Sequence, residues 1–245
     1  MLARVTLALA LAALLGPLTA AAQTPVEAAR ALVNRYHQDP ANIDRARELL
    51  ERALATDSQP DTMVMLSYVY FLVGDVRAQS ADDKLAAYDK GREIGKRAVE
   101  LAPKNPEAHV WYGINTGRWG QTKGIMRSLF LLPTVREEID ATLALDPKNL
   151  RALALQGNVF FEVPRIAGGD RDKAEAAFRK ALEIDPHFTN ARLDLARVLI
   201  ASGRAADARR ELQHILDEKS PQNVADWTVK DAPRARQLLE SLKGK

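Results

Sequence analysis

The chain has 245 residues, of which 47% are hydrophobic and 27% charged, with a formal net charge of +3 and no cysteine. Acids and bases are interspersed, with neither a basic stripe nor an acidic tail, so nucleic-acid binding has no electrostatic basis. The missing thiols exclude disulfides, thiolate metal sites and a cysteine nucleophile.

The first 22 residues read as an export signal. Arg4 supplies the positive start, Val5–Leu15 the apolar run, Gly16-Pro17 a break, and Ala20-Ala21-Ala22 the small residues of a cleavage site. The run is short for a bilayer span, which sets removal of the signal ahead of an uncleaved anchor. The expected mature chain starts near Gln23, in a bacterial-type periplasm, with 23–245 as one helical domain.

Periodic apolar residues then predict helices throughout. A first pair covers 26–37 and 42–56, split by Asp39-Pro40. The apolar segment 60–74 holds Tyr68, Tyr70 and Phe71, and a long helix after a polar link ends at Glu100. Next come 106–124, an apolar linker before Pro133, and a helix over 134–145. Two further pairs cover 150–162 with 170–184, and 189–201 with 205–217. Asn105, Asn149 and Asp170 stand where helix N-caps belong. Residues 219–233 read as a loop docked by Trp227, and 232–243 as a cap over the open end of the stack.

A phrase returns along this series: a small residue, a large apolar one, a small one, then proline. Its clearest copy is Ala174, Phe178, Ala181 and Pro186, and the next is Ala208, Leu212 and Ile215. Two helices in about 34 residues, repeated, is the pattern of stacked helical pairs. In 189–218, Leu195, Ala196, Leu199, Gly203, Ala208, Leu212 and Ile215 resemble the tetratricopeptide repeat family directly. The expected fold is all-α, a tetratricopeptide-repeat superhelix of five pairs plus a C-terminal capping helix.

No chemistry follows from the side chains. His37, His109, His187 and His214 lack metal-ligand spacing, and Gly120 and Gly124 lack the Lys-Ser or Lys-Thr of a phosphate loop. Ser67, Ser128 and Ser202 lack a nucleophile elbow. The expectation is binding, with no catalytic residue, metal or cofactor.

One region departs from bland repeat sequence. Gly113, Gly117, Gly120 and Gly124 share one face of a helix, while Trp111, Asn115 and Arg118 share the opposite one. Each interior glycine costs about 1 kcal/mol against alanine. Close packing on a neighbouring helix would offset that; so would a bare surface lining a groove or pore. The candidate ligand- or partner-binding residues are His109, Trp111, Tyr112, Gly113, Asn115, Gly117, Arg118, Trp119 and Lys123. Arg118 and Lys123 are the cations able to steer the acidic head of a hydrophobic small molecule, or are plain surface charges.

The His109–Trp111–Tyr112 start, the Gly117/Gly124 spacing, the insert Pro164…Gly168-Gly169-Asp170 and the closing run from Pro221 to Leu242 carry a family resemblance. The chain resembles the T component of tripartite ATP-independent periplasmic transporters, and the related helical domain of the regulator of microtubule dynamics family. The first resemblance implies a homotrimer with an apolar pore that docks a periplasmic solute-binding subunit and handles a hydrophobic or organic-acid ligand. The chain departs from it in having no cysteine to lipidate. A microtubule role is not expected to carry over to an exported protein. The alternative is a general protein-interaction adaptor in the cell envelope.

Overall fold

A computed structural model describes residues 23–244. The signal expected over 1–22 lies outside the described residues. The first pair is α1 (Pro25–Val33) and α2 (Ala41–Thr56). Thr24 and Glu27 close a capping box on α1, so two backbone donors of the free helix end are satisfied. Then come α3 (Pro60–Leu72) with α4 (Ala81–Leu101), α5 (Pro106–Lys123) with α6 (Ile125–Leu145), α7 (Leu150–Glu162) with α8 (Arg171–Ile184), and α9 (Thr189–Ala201) with α10 (Ala205–Asp217). Among the described residues the elements are helices and turns, with no strand. The five expected pairs are present, and Asn105, Asn149 and Asp170 cap α5, α7 and α8.

The packing explains the residue choices. α3 is apolar over most of its surface because α1, α2, α4 and α5 pack around it. Its last turn widens into a π-helical turn over Val73–Arg77. In the C-terminal half Phe178, Leu195, Leu199, Leu212 and Ile215 form a fully buried core with Ala174, Ala181, Ala196 and Ala208. Gly157 of α7 lets α8 approach: a Cβ there would lie 2.6 Å from the Phe178 ring.

Two expectations are corrected. The apolar stretch before Pro133 is not a linker, since α6 runs unbroken from Ile125 through Pro133 to Leu145. Gly124 alone separates α5 from α6, at φ 111°, a backbone state that a side chain disfavours. Nor is 219–233 a plain loop. It holds α11 (Val224–Asp226), a π-helical turn (Trp227–Asp231) and the start of α12 (Ala232–Ser241). α12 packs on α10 as the expected cap. The Trp227 indole donates to the Ile215 carbonyl at 2.7 Å, which docks the segment.

The segment before α12 is a strap that reaches the first repeat. Ala225 is fully buried in the N-terminal core beside Val33, Tyr36 and Val69. The Tyr36 hydroxyl donates to the Asp226 carboxylate at 2.6 Å. At the other end the Thr189 hydroxyl of α9 donates to Asp231 at 2.7 Å. The strap therefore touches the first helices of the first and last pairs, bridging the inner face of the superhelix.

Candidate functional site

The first helices of the first four pairs enclose a cavity of about 260 Å³ on the inner face. Its walls come from α1 (Val26, Arg30), α3 (Asp61, Val64, Met65, Tyr68), α5 with its cap (Asn105, Glu107, Trp111) and α7 (Arg151). Each of these is the first helix of its pair. Trp111 is the rigid wall: its ring lies 4.5 Å from Tyr68 and 5.6 Å from Phe71, with the Arg151 guanidinium 5.3 Å from its face. Glu107 fixes this arrangement by accepting from the Trp111 indole at 3.1 Å and from Asn149 at 3.0 Å, with Arg151 at 3.5 Å. Burial pushes the Tyr68 hydroxyl up to about 12, so it stays protonated. Arg30 has no carboxylate partner among the described residues. A shallower cleft of about 810 Å³ opens between the outer helices α2 and α4, beside Leu54, Tyr70, Ile94 and Arg97.

Behind the groove lies a charged hub. Lys230 of the strap sits 2.5 Å from Asp75 and 3.6 Å from Asp226, with its ammonium 5.2 Å from the Phe71 ring. Burial opposes that charge, but Asp226 and Asp75 more than offset it and hold the lysine above its ordinary range. Burial likewise works against the Asp75 carboxylate, and Lys230 and Arg118 reverse the balance and keep it low. No local pattern announces this hub, because its members come from widely separated parts of the chain.

The nine candidate residues fall in four places. His109, Tyr112, Gly113, Asn115 and Gly117 belong to helix joints. The His109 ring bonds the Pro103 carbonyl through Nε2 at 2.9 Å and Glu138 through Nδ1 at 2.6 Å. A carbonyl only accepts, so Nε2 carries a proton, and burial pushes the Glu138 carboxyl up. The buried Asn115 amide donates to the Ser67 carbonyl at 3.0 Å and hydroxyl at 3.1 Å, against Gly91 of α4. Tyr112 packs where Gly95 leaves room.

The glycine face meets α6. A Cβ on Gly113 would lie 3.1 Å from Glu138, one on Gly120 3.2 Å from the Ser128 backbone, and one on Gly117 3.9 Å from Val135. Close packing is thus the observed role of that face, and the face lines no passage. Gly124 is the turn itself.

Trp111 alone lines the groove. The face it shares with Asn115 and Arg118 is turned toward α3, where Arg118 lies 5.8 Å from the Phe71 ring and 3.9 Å from Asp75. Trp119 and Lys123 stand apart, near the α5–α6 turn, with Lys123 5.7 Å from the Trp119 ring. Sequence reasoning missed Arg30, Tyr68 and Arg151; the aromatic-rich composition of 60–74 was the one signal present. Among the described residues no group of three or more His, Asp or Glu could hold a metal. No described helix is long and apolar enough to cross a membrane.

The family model for regulator of microtubule dynamics proteins 1–3 matches residues 26–243. The chain belongs to that family. It is 23% identical over 208 residues to regulator of microtubule dynamics protein 3 of Mus musculus, covering 78% of this chain and 43% of that protein. Its identity to protein 1 of Homo sapiens is 28% over 127 residues, covering 46% and 40%. The chain thus spans less than half the length of these curated relatives. Among solved structures a tetratricopeptide protein of Thermus thermophilus matches with a TM-score of 0.65 at 19% identity, covering 89% of this chain and 98% of that one. That likeness establishes the fold alone.

These findings correct the periplasmic expectation. The relatives are animal proteins, from cells that have no periplasm. The family match supports the second of the two resemblances, and it gives the transporter T component no support.

Proposed function

We propose that this protein is a non-enzymatic scaffold that holds a segment of a protein partner in the inner groove beside Trp111. The observation that carries this reading is the groove's composition. Its wall of tilted, mutually packed aromatic rings is held in place by its neighbours, and pre-organised aromatic surface binds at low entropic cost. The cavity of about 260 Å³ takes one large side chain. Glu107 is occupied internally, whereas Arg30 is left to meet an acid. The expected occupant is therefore a peptide segment with one aromatic or large aliphatic residue next to Asp or Glu. The relatives' names tie them to a regulatory role, which suits a scaffold.

The solute-uptake role implied by the T-component resemblance gains no support from the relatives. Its pore is also short of a wall, because α6 fills the glycine face. The solute-binding subunit, the homotrimer and the hydrophobic ligand have no feature here that favours them.

An array of short peptides, read by direct binding, tests the scaffold reading. Selected peptides should pair a large apolar residue with an acid within a few positions. Arg30→Glu should weaken them about tenfold, the worth of one charge-assisted hydrogen bond. If Arg30→Glu and Val64→Asp bind the same peptides as well as the parent, the groove is not the site.

A further inference from the structure

A separate surface lies at the turn joining α5 to α6. Between Glu107 and Glu137 the sequence has no Asp or Glu, yet it carries Arg118, Lys123, Arg127 and Arg136. In the same stretch Ile125 is 56%, Met126 78% and Phe130 72% exposed. Exposed residues of this size normally occur singly. Here Met126, Phe130 and Pro133 follow helical spacing on the outward face of α6, with Ile125 and Leu129 beside them. The buried face of the same helix holds Leu132, Val135, Glu138 and Ile139.

Cations ring this apolar face. The Arg127 guanidinium lies 5.5 Å from the Phe130 ring and 5.8 Å from the Trp119 ring. Lys123 lies 5.7 Å from Trp119, and Arg92 lies 4.9 Å from it on α4. Arg92 is paired with Asp89, but neither Lys123 nor Arg127 has a carboxylate partner among the described residues. Further along the outward face α6 changes character: Glu137 and Asp140 are both exposed. The apolar part is thus bounded and covers the first turns only.

We propose that the α5–α6 turn docks on a bilayer surface that carries anionic headgroups. Met126 and Phe130 enter the acyl boundary, Trp119 lies at the headgroup level, and Lys123 and Arg127 meet the lipid phosphates. Amphipathic helix faces of this composition sit about 5–10 Å into the interface. From Ile125 to Pro133 the helix rises about 12 Å, which at a tilt fits that depth and keeps Glu137 outside. Charge selects this occupant over a second copy of the chain, whose matching face carries the same cations. The apolar side chains of this face line neither of the two cavities described above, so the face is separate from the groove.

The absence of cysteine makes a local test clean. Full-length Met126→Cys and Asp140→Cys, each bearing an environment-sensitive fluorophore, are mixed with vesicles of phosphatidylcholine alone or with 30% phosphatidylserine, a composition set by the reliance of basic segments on anionic lipid. The probe at 126 should shift to the blue with anionic vesicles only, and the probe at 140 should not shift. Adding Lys123→Gln and Arg127→Gln should weaken partitioning about 30-fold, near fivefold per cation. The local probe distinguishes insertion of this turn from attachment through the apolar N-terminal run. If the chain sediments with anionic vesicles while the probe at 126 stays unshifted, the proposal fails. A shift that depends on protein concentration without lipid overturns it in favour of self-association. A shift produced only by an acidic protein overturns it in favour of a protein partner.

Discussion

The Tyr36 hydroxyl donates to the Asp226 carboxylate at 2.6 Å, joining residues 190 positions apart. The first repeat is thereby tied to the strap that precedes the cap. An open helical array has stability that is a sum of repeats and neighbour interfaces, and it can fray from either end. Linking the ends removes that freedom. Tyr36→Phe should cost about 1 kcal/mol, since a partly buried carboxylate loses one donor. A double-mutant cycle with Asp226→Asn, read by urea unfolding, should give a coupling energy of at least about 0.5 kcal/mol. Strictly additive effects would show that the bond does not hold the ends together.

The glycines divide into those that need to be glycine and those that do not. At Gly117 a Cβ meets only Val135, at 3.9 Å. Gly117→Ala should raise stability by up to about 1 kcal/mol through helix propensity. At Gly157 the Phe178 ring stands in the way at 2.6 Å. Gly157→Ala should lower stability by about 1–3 kcal/mol through overpacking. Thermal melts of the two variants check both signs.

Leu212 is fully buried in the C-terminal core. Leu212→Ala should cost about 2–5 kcal/mol, because a cavity replaces the lost side chain. An unchanged denaturation midpoint would remove Leu212 from the core.

Asp231 gives the protein a pH dependence of unusual sign for a carboxylate. Burial, foremost, lifts its pKa to about 7, while the Thr189 hydroxyl bond opposes the rise. The folded state therefore keeps a proton that the unfolded chain loses near its ordinary value of 3.8. Its contribution is complete below that value and is lost as pH rises through about 7. Between pH 8 and pH 5.5 the parent should gain about 2 kcal/mol relative to Asp231→Asn. Equal pH profiles for the two proteins would place Asp231 at an ordinary pKa.

Local chemistry made much of the fold readable in advance. The bounds of α9 and α10 follow from Ala and Leu periodicity and from Gly203 at φ 76°, all set within a few residues. The caps at Asn105, Asn149 and Asp170 are equally local, since each side chain bonds an amide two or three positions on. The region around Trp111 was legible as unusual, but its glycines had two readings, and only the approach of α6 chose between them.

The sequence by itself determined an all-helical stack of pairs and the residues of its core, because period and capping are properties of short stretches. Tertiary structure decided the rest. Pro133 and Gly124 suggested a break, yet α6 continues through Pro133, which lies on its exposed face while α5 packs along the other. The strap looked like a loop because Tyr36, Phe71 and Asp75, which hold it, are far away along the chain. Contacts of that span leave no periodic trace, and they are what close the inner face and shape the groove.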